Sequence, residues 1–334
     1  MIITRTPFRI SLFGGGTDYP DWIREHGGSV IGLAIDKYCY ISVRLLPPFF
    51  EFKHRIVYSR IELAHQVGEI QHPAVRAVLA ETKIAEGLAI SHDADLPARA
   101  GLGSSSAFTV GLLHGIAAMQ GRIIGKAALA SEAIRIEQEV IKENVGCQDQ
   151  VWAAHGGLNR IDFARDGGIS VKPLIIVPQR RRELVDSLLL VFSGLSRIAS
   201  EVAQQQIANI GRNERHLLAM QRLVDDAAAL VADEREPVSR LGGLLHQSWM
   251  LKRELASGLT NDRVDQIYDL AIANGASGGK LLGAGGGGFL VFVVPPERRA
   301  KVREALRDLV QVSVDIDRDG SRVMVYEPAG LGSV

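Results

Sequence analysis

Three groups of residues in this chain have types and spacings suited to chemistry on a phosphate. The first is Gly101-Leu102-Gly103-Ser104-Ser105-Ser106-Ala107, just ahead of a helical pattern. Glycines let a backbone come close to a ligand. The free N–H groups and dipole of a helix N-terminus favour an anion. The serines can cap the helix, bind phosphate oxygens or hold Mg²⁺. The second is Glu137, whose helical neighbours Ala133, Ile134, Val140 and Ile141 are all apolar. A carboxylate on such a stripe is costly unless it has a partner. A metal ion is one; the alternative is a glutamate at the stripe's edge, reaching water. The third is Asp149, in Gly146-Cys147-Gln148-Asp149-Gln150. It suits a helix N-cap, or a base that takes a proton from an attacking hydroxyl.

Two further glycine tracts stand near the ends of the chain. In Gly14-Gly15-Gly16-Thr17-Asp18-Tyr19 the glycines form either a tight turn or an approach for a polyhydroxyl ligand, with Asp18 accepting sugar hydroxyls. Gly283-Ala284-Gly285-Gly286-Gly287-Gly288 runs straight into an apolar stretch. Such a run of glycines is entropically expensive, so a close backbone approach is expected there. Three tracts imply one nucleotide-using site built from distant segments. Other phosphate-binding patterns fail. Gly101 and Gly103 are followed by serines where a dinucleotide fingerprint needs a third glycine, and Gly279-Lys280 is followed by Leu281 where a P-loop needs Ser or Thr. There is no His-Arg-Asp loop of the protein-kinase kind, and the histidines show no paired metal spacing.

The elements that must position these residues follow from periodicity. Phe8, Ile10 and Leu12 alternate with Arg9 and Ser11, which predicts a half-buried strand with Arg9 on the opposite face. Residues 29–44 read as one or two strands, and Pro73 opens a helix. After the serines, Phe108, Leu112 and Ile116 form a helical stripe. A helix from about Lys126 to Glu143 carries Glu137. Residues 169–177 read as a strand, and Pro178 with Arg180-Arg181-Arg182 as a linker. Strand 188–192 is followed by long helices from Ala199 to about Ala273, then a buried strand at 288–294. Val310, Val312, Val314 and Ile316 alternate in a penultimate strand, and a last one lies near 321–326. Without a strict βαβ repeat the class is α+β.

The chain has 334 residues, room for two domains. Its formal net charge of zero argues against nucleic acid as partner. No apolar run of about 18 residues occurs, so no membrane span is expected. Cys39 and Cys147 form neither a metal spacing nor a disulfide framework. Together with a start that reads as a strand and not a leader, they suggest the cytoplasm.

The three tracts, in this order, resemble the motifs of the GHMP small-molecule kinase superfamily. The resemblance covers nearly the whole chain: Pro7 to Tyr19, Pro97 to Ala107 and Lys280 to Gly288, with Glu137 and Asp149 at the family's relative spacing. It departs at Pro97-Ala98-Arg99-Ala100, where the family usually has a Pro-Pro-Gly turn; Arg99 adds a charge there. Arg9 to Pro20, Ile35 to Tyr38, His72 to Leu79 and Gly103 to Leu113 look like the bacterial D-glycero-D-manno-heptose 7-phosphate kinases. The resemblance implies two domains, 1–183 and 184–334, around one cleft. It implies ATP and Mg²⁺ as cofactors and a small sugar phosphate as substrate, phosphorylated at its anomeric hydroxyl. It further implies Asp149 as base with Arg9 beside it, and Gly101, Leu102, Gly103, Ser104, Ser105, Ser106 and Ala107 at the nucleotide. Ser106 and Glu137 would hold the metal. Gly15, Gly16, Thr17, Asp18, Lys37, Gly286 and Gly287 would meet the substrate, Lys37 taking its phosphate. A kinase for L-fucose or a hexose is the alternative, followed by a non-catalytic sugar and nucleotide sensor. A homodimer is compatible with all of these.

Overall fold

The computed structural model describes residues 1–195 and 199–329. The chain begins with β1 (Ile2–Phe13), α1 (Pro20–His26), β2 (Gly28–Leu45), β3 (His54–Val57) and β4 (Ile61–Ala64). Next come α2 (Pro73–Thr82), β5 (Leu88–Ala94), α3 (Ser104–Met119), α4 (Lys126–Arg135), α5 (Gln148–His155), β6 (Leu158–Phe163) and β7 (Ile169–Pro173). The second half holds α6 (Pro178–Ser187), β8 (Leu188–Phe192), α7 (Ala199–Ala208), α8 (Glu214–Ala232), α9 (Ser239–Arg253) and α10 (Asp262–Ala273). It ends with β9 (Gly278–Leu281), β10 (Phe289–Val293), α11 (Arg299–Ala305), β11 (Gln311–Val312) and β12 (Arg322–Tyr326).

An eight-stranded sheet runs β12-β1-β2-β5-β3-β4, with β6 and β7 added along β2. Its pairs are antiparallel except β3 with β5. A four-stranded antiparallel sheet, β11-β8-β10-β9, forms in the second half. Mixed helices and strands without a βαβ repeat make this an α+β fold. No helix among the described residues is long and apolar enough to cross a membrane.

Several expectations are corrected. β1 is not half-buried: every residue from Thr6 to Phe13 is buried, Arg9 included. Helices α3 and α5 pack on it, and so do α8 and α9 from the second half, so it has no solvent face. The stripe on α3 was too narrow for the same reason: twelve of its sixteen residues are buried. The helix expected over 126–143 ends as an α-helix at Arg135 and continues as a π-turn, Ile136–Val140. π-Turns of this kind collect at functional sites, and Glu137 lies within it. The supposed linker is helical. Arg180 is buried, and its guanidinium donates to the carbonyls of Leu230 at 2.8 Å and Val231 at 3.3 Å, at the C-terminal end of α8. A cation belongs at such a helix end. β7 stops at Pro173, which has no N–H for the ladder. The strand expected over 310–316 splits between the two sheets. Val312 pairs with β8, whereas Ile316 bridges Ile35 on β2; the alternating apolar residues serve different neighbours.

Candidate active site

The fold brings the chemistry-bearing residues together at the end of β1. Arg9 Nε and Nη2 each donate to one oxygen of Asp149, both at 2.7 Å. Such a two-point contact fixes distance and plane together. Nη1 donates to the Gly101 carbonyl at 2.7 Å, and the Arg9 N–H donates to the Leu102 carbonyl at 3.1 Å. One residue therefore holds the carboxylate and the glycine–serine loop in a single register. The Arg9 side chain is 6 % exposed and that of Asp149 24 %, so the carboxylate is the member that faces solvent. Asp149 sits in the first turn of α5 without capping it: Cys147 is the N-cap and makes no side-chain cap bond.

Gly103 is the N-cap of α3, with φ +75°. Any Cβ there would stand 3.3 Å from Asp149 Oδ2 and 3.4 Å from Arg9 Cγ, which explains the glycine. The first intrahelical bond of α3 runs from the Ala107 N–H to the Gly103 carbonyl. The N–H groups of residues 104–106 thus precede the helical ladder and are oriented for an anion. Ser106 Oγ donates to Glu137 Oε2 at 2.9 Å, and Gln150 Nε2 donates to the same oxygen at 2.5 Å. Glu137 Oε1 is buried without a partner. Burial pushes the Glu137 carboxyl up to about 7, against hydrogen bonds from Thr109, Ser106 and Gln150 that favour its charge. A buried carboxylate oxygen with a vacant acceptor beside a serine hydroxyl fits Mg²⁺, which needs only one or two protein oxygens beside phosphates and waters. No cluster of three or more His, Cys, Asp or Glu among the described residues offers another metal site.

Asp18 is buried, accepting from the Gly16 N–H at 3.0 Å and the Gln148 N–H at 3.4 Å. Burial, followed by the charge of Asp149, raises its carboxyl above the ordinary range. Gly15 lies between Ser11 and Gln148: an added Cβ would be 3.6 Å from Ser11 Oγ and 3.9 Å from Gln148 Nε2. Ser11 Oγ and Gln148 Oε1 are buried with no partner. Buried polar groups nearly always find partners, so these two are open to ligand hydroxyls. Lys252 on α9 donates to the carbonyls of Leu281, at 3.3 Å, and Gly283. Lys280 donates to the Leu12 carbonyl at 3.0 Å. Both lysines are buried. Burial first, then Arg9, lowers Lys252 to about 7; burial and Lys252 lower Lys280 well below its ordinary range.

Two family models match the chain, GHMP kinases N terminal domain at residues 66–157 and GHMP kinases C terminal at residues 227–311. The D-glycero-alpha-D-manno-heptose 7-phosphate kinase of Campylobacter jejuni is 30% identical over 316 residues, covering 92% of this chain and 93% of that one. This chain belongs to the GHMP kinase family. Among solved structures, a putative sugar kinase from Campylobacter jejuni superposes with a TM-score of 0.70 at 26% identity, covering 96% and 97% of the two chains. A D-glycero-D-manno-heptose 1-phosphate kinase from Bacteroides thetaiotaomicron superposes with a TM-score of 0.79 at 21% identity, covering 98% and 100%. The chain is accordingly a sugar kinase that transfers a phosphoryl group from ATP.

In this GHMP kinase the second and third glycine tracts meet backbone to backbone. A Cβ on Gly101 would stand 2.6 Å from the Leu282 carbonyl oxygen, and one on Gly283 would stand 2.5 Å from Gly101 Cα. Some expected contacts are taken up by the protein itself. Thr17 Oγ1 donates to the carbonyls of Gly14 at 2.8 Å and Ser29 at 3.0 Å, closing the turn. Gly286 donates to the Leu259 carbonyl and accepts from Asn261 Nδ2, and a Cβ on Gly287 would meet Leu195; both glycines shape a loop. Leu102 and Ala107 are buried in the core, leaving only their backbone for a nucleotide. Ser104 Oγ accepts from the exposed Arg99, and Ser105 is exposed. Lys37 makes no hydrogen bond to this cluster. It donates to the Asp36 carboxylate at 2.9 Å and the Asp36 carbonyl at 3.2 Å, on a segment tied to Asp315. Sequence reasoning gave no role to Ser11, Gln148, Gln150, Lys252 or Lys280. Ser11 and Lys280 lie inside the quoted motifs. Gln148 and Gln150 flank Asp149, but nothing in their spacing marked them. A cavity of about 1160 Å³ lies elsewhere, between α4, α5, β7 and α6, and holds none of these residues.

Proposed function

We propose that this sugar kinase phosphorylates the anomeric hydroxyl of D-glycero-D-manno-heptose 7-phosphate, giving the 1,7-bisphosphate. The similarity to the Campylobacter jejuni heptose 7-phosphate kinase over nine-tenths of both chains carries the choice of substrate. The local arrangement supports it: an acidic residue for sugar hydroxyls, two unpartnered polar groups beside it, and a carboxylate held by a guanidinium. The cleft between segments 1–183 and 184–334 would hold sugar and nucleotide.

The steps follow from the chain's own residues. The sugar lies against Gly15, with Asp18, Ser11 and Gln148 accepting from or donating to its hydroxyls. Asp149 accepts the proton of the attacking hydroxyl, while Arg9 holds that carboxylate in one orientation. The N–H groups of residues 104–106 receive phosphate oxygens of ATP. Ser106 and Glu137 would hold Mg²⁺, which supplies charge neutralisation on the phosphates. Phosphoryl transfer depends mainly on alignment and charge, so this sparse set is sufficient.

The test is ADP release with Mg·ATP across the heptose 7-phosphate, the unphosphorylated heptose, galactose, L-fucose and mevalonate. Turnover confined to the 7-phosphate is expected. Turnover of L-fucose or a hexose at higher kcat/KM would replace the heptose phosphate and leave the mechanism standing.

A further inference from the structure

Around Lys252 the basic side chains outnumber the carboxylates. Arg9, Lys252 and Lys280 face Asp18 and Asp149 across the same buried cluster. Asp149 is occupied on both oxygens by Arg9, and Asp18 accepts from backbone N–H groups. Among the described residues, neither lysine is ion-paired; their contacts are the carbonyls of Leu12, Leu281 and Gly283. Carbonyls satisfy ammonium protons but supply no counter-ion, so burial works against the charged form of both lysines. A lysine ammonium has three donors, so Lys252 keeps one beyond the two carbonyls. Gly283, which receives Lys252, also touches Gly101, which receives Arg9. The lysine thus stands at the seam where the third glycine tract meets the second. Lys37, the residue expected from the sequence to take the substrate phosphate, is ion-paired with Asp36.

We propose that Lys252, backed by Lys280, is an anion subsite of the cleft that receives a phosphate group of the bound reactants. This rests on the sugar-kinase reading above and deepens it. The phosphate belongs either to the sugar phosphate or to the group in transfer; the chemistry is shared. The charged groups facing Lys252 are Arg9 from β1, Asp18 from the loop after β1 and Lys280 from β9. α8 meets α9 through Leu217 and Met220 clustered with Leu251, and β10 is wholly apolar. An incoming dianion would supply the counter-charge these buried amines lack and favour their protonated form.

The experiment compares wild type with Lys252→Gln, which keeps a donor for the carbonyls, and with Lys252→Met. Inorganic phosphate is the first probe, read as the rise in melting temperature with phosphate concentration. Loss of one charge-assisted contact should weaken apparent phosphate affinity about tenfold in Lys252→Gln. Steady-state kinetics then locate the group. A KM raised about tenfold for the sugar 7-phosphate, with the KM for ATP held, assigns it to the substrate. A fall in kcat, with the KM values for the sugar 7-phosphate and ATP held, assigns it to the group in transfer. A folded Lys252→Gln protein with wild-type phosphate affinity and kinetics overturns the proposal. If Lys252→Gln does not fold, absence of any phosphate-dependent stabilisation in the wild type overturns it equally. If no sugar is turned over, the sugar assignment fails, while the phosphate titration still decides on the subsite.

Discussion

Breaking the Arg9–Asp149 pair should cost stability and activity in a pattern that simple loss of contacts does not produce. Arg9→Met removes two 2.7 Å bonds to the carboxylate and one to the Gly101 carbonyl. It also strands Asp149 next to Asp18, whose charges already oppose each other. Breaking a buried pair from one side costs about 3–5 kcal/mol. Asp149 is 24 % exposed, so water relieves part of that, and about 3 kcal/mol is expected. Asp149→Asn keeps one acceptor for the guanidinium and the Gly101 contact, and should cost about 2 kcal/mol. In the double variant Arg9→Met/Asp149→Asn no uncompensated charge remains. Its cost should be about 3 kcal/mol, well below the sum of the singles, a coupling of about 2 kcal/mol. Urea unfolding of the four proteins measures this directly. Activity should follow the same logic. Either single change lowers kcat by about 10²-fold or more, and the double is little worse than the weaker single. Stabilities additive within about 0.5 kcal/mol would refute the pair as a unit. Undiminished turnover by Asp149→Asn would remove it as the base.

Three further outcomes are expected. Gly103→Ala forces a side chain to φ +75° and against Asp149; it should lose about 1–2 kcal/mol of stability in urea unfolding and shift kcat more than the ATP KM. Glu137, pushed up to about 7 by burial, holds a proton in the folded chain that the unfolded chain releases above its ordinary 4.5. Stability from this group is complete below about 4.5, declines as pH rises to 7, and the loss totals about 3 kcal/mol. Unfolding at pH 5 and pH 8 without Mg²⁺ should show that slope in wild type, and Glu137→Gln should remove it. Lys37→Ala, which loses only its partner Asp36, should leave the KM for the sugar phosphate within about twofold.

The kinase motifs were readable because glycine and serine at those spacings have few other uses. Local chemistry, not long-range contact, fixes a cradle of N–H groups ahead of a helix. The α+β class followed from periodicity, as did the strands at 188–192 and 289–293. What periodicity did not carry was anything depending on a distant partner. Arg9 alternates with apolar residues exactly as a surface arginine would, because the carboxylate that allows its burial is 140 residues away. Arg180 looked like part of a basic linker, since the carbonyls that receive it belong to α8. Val314 and Ile316 look like one strand with Val310 and Val312, although two sheets share them. Lys252 carries no local mark, and Lys280 only its place at the head of the third motif; their significance lies in the charges around them. Within the candidate site, the short motifs pointed to Gly101 to Ala107 and Asp18, whereas Ser11, Gln148 and Lys252 emerged only from their surroundings in the fold.

β12 has a consequence for how the chain is made. It pairs with residues 2–5 of β1, so the last described strand covers the edge of the first. At about 5–20 residues per second, roughly 16–64 s separate the synthesis of the two strands. During that interval the edge of β1 offers unpaired backbone groups to any extended peptide. The nascent chain must be shielded by a chaperone or by its own collapse until β12 leaves the ribosome. A chain ending shortly before residue 322 would carry every candidate site residue and an open, adhesive sheet edge.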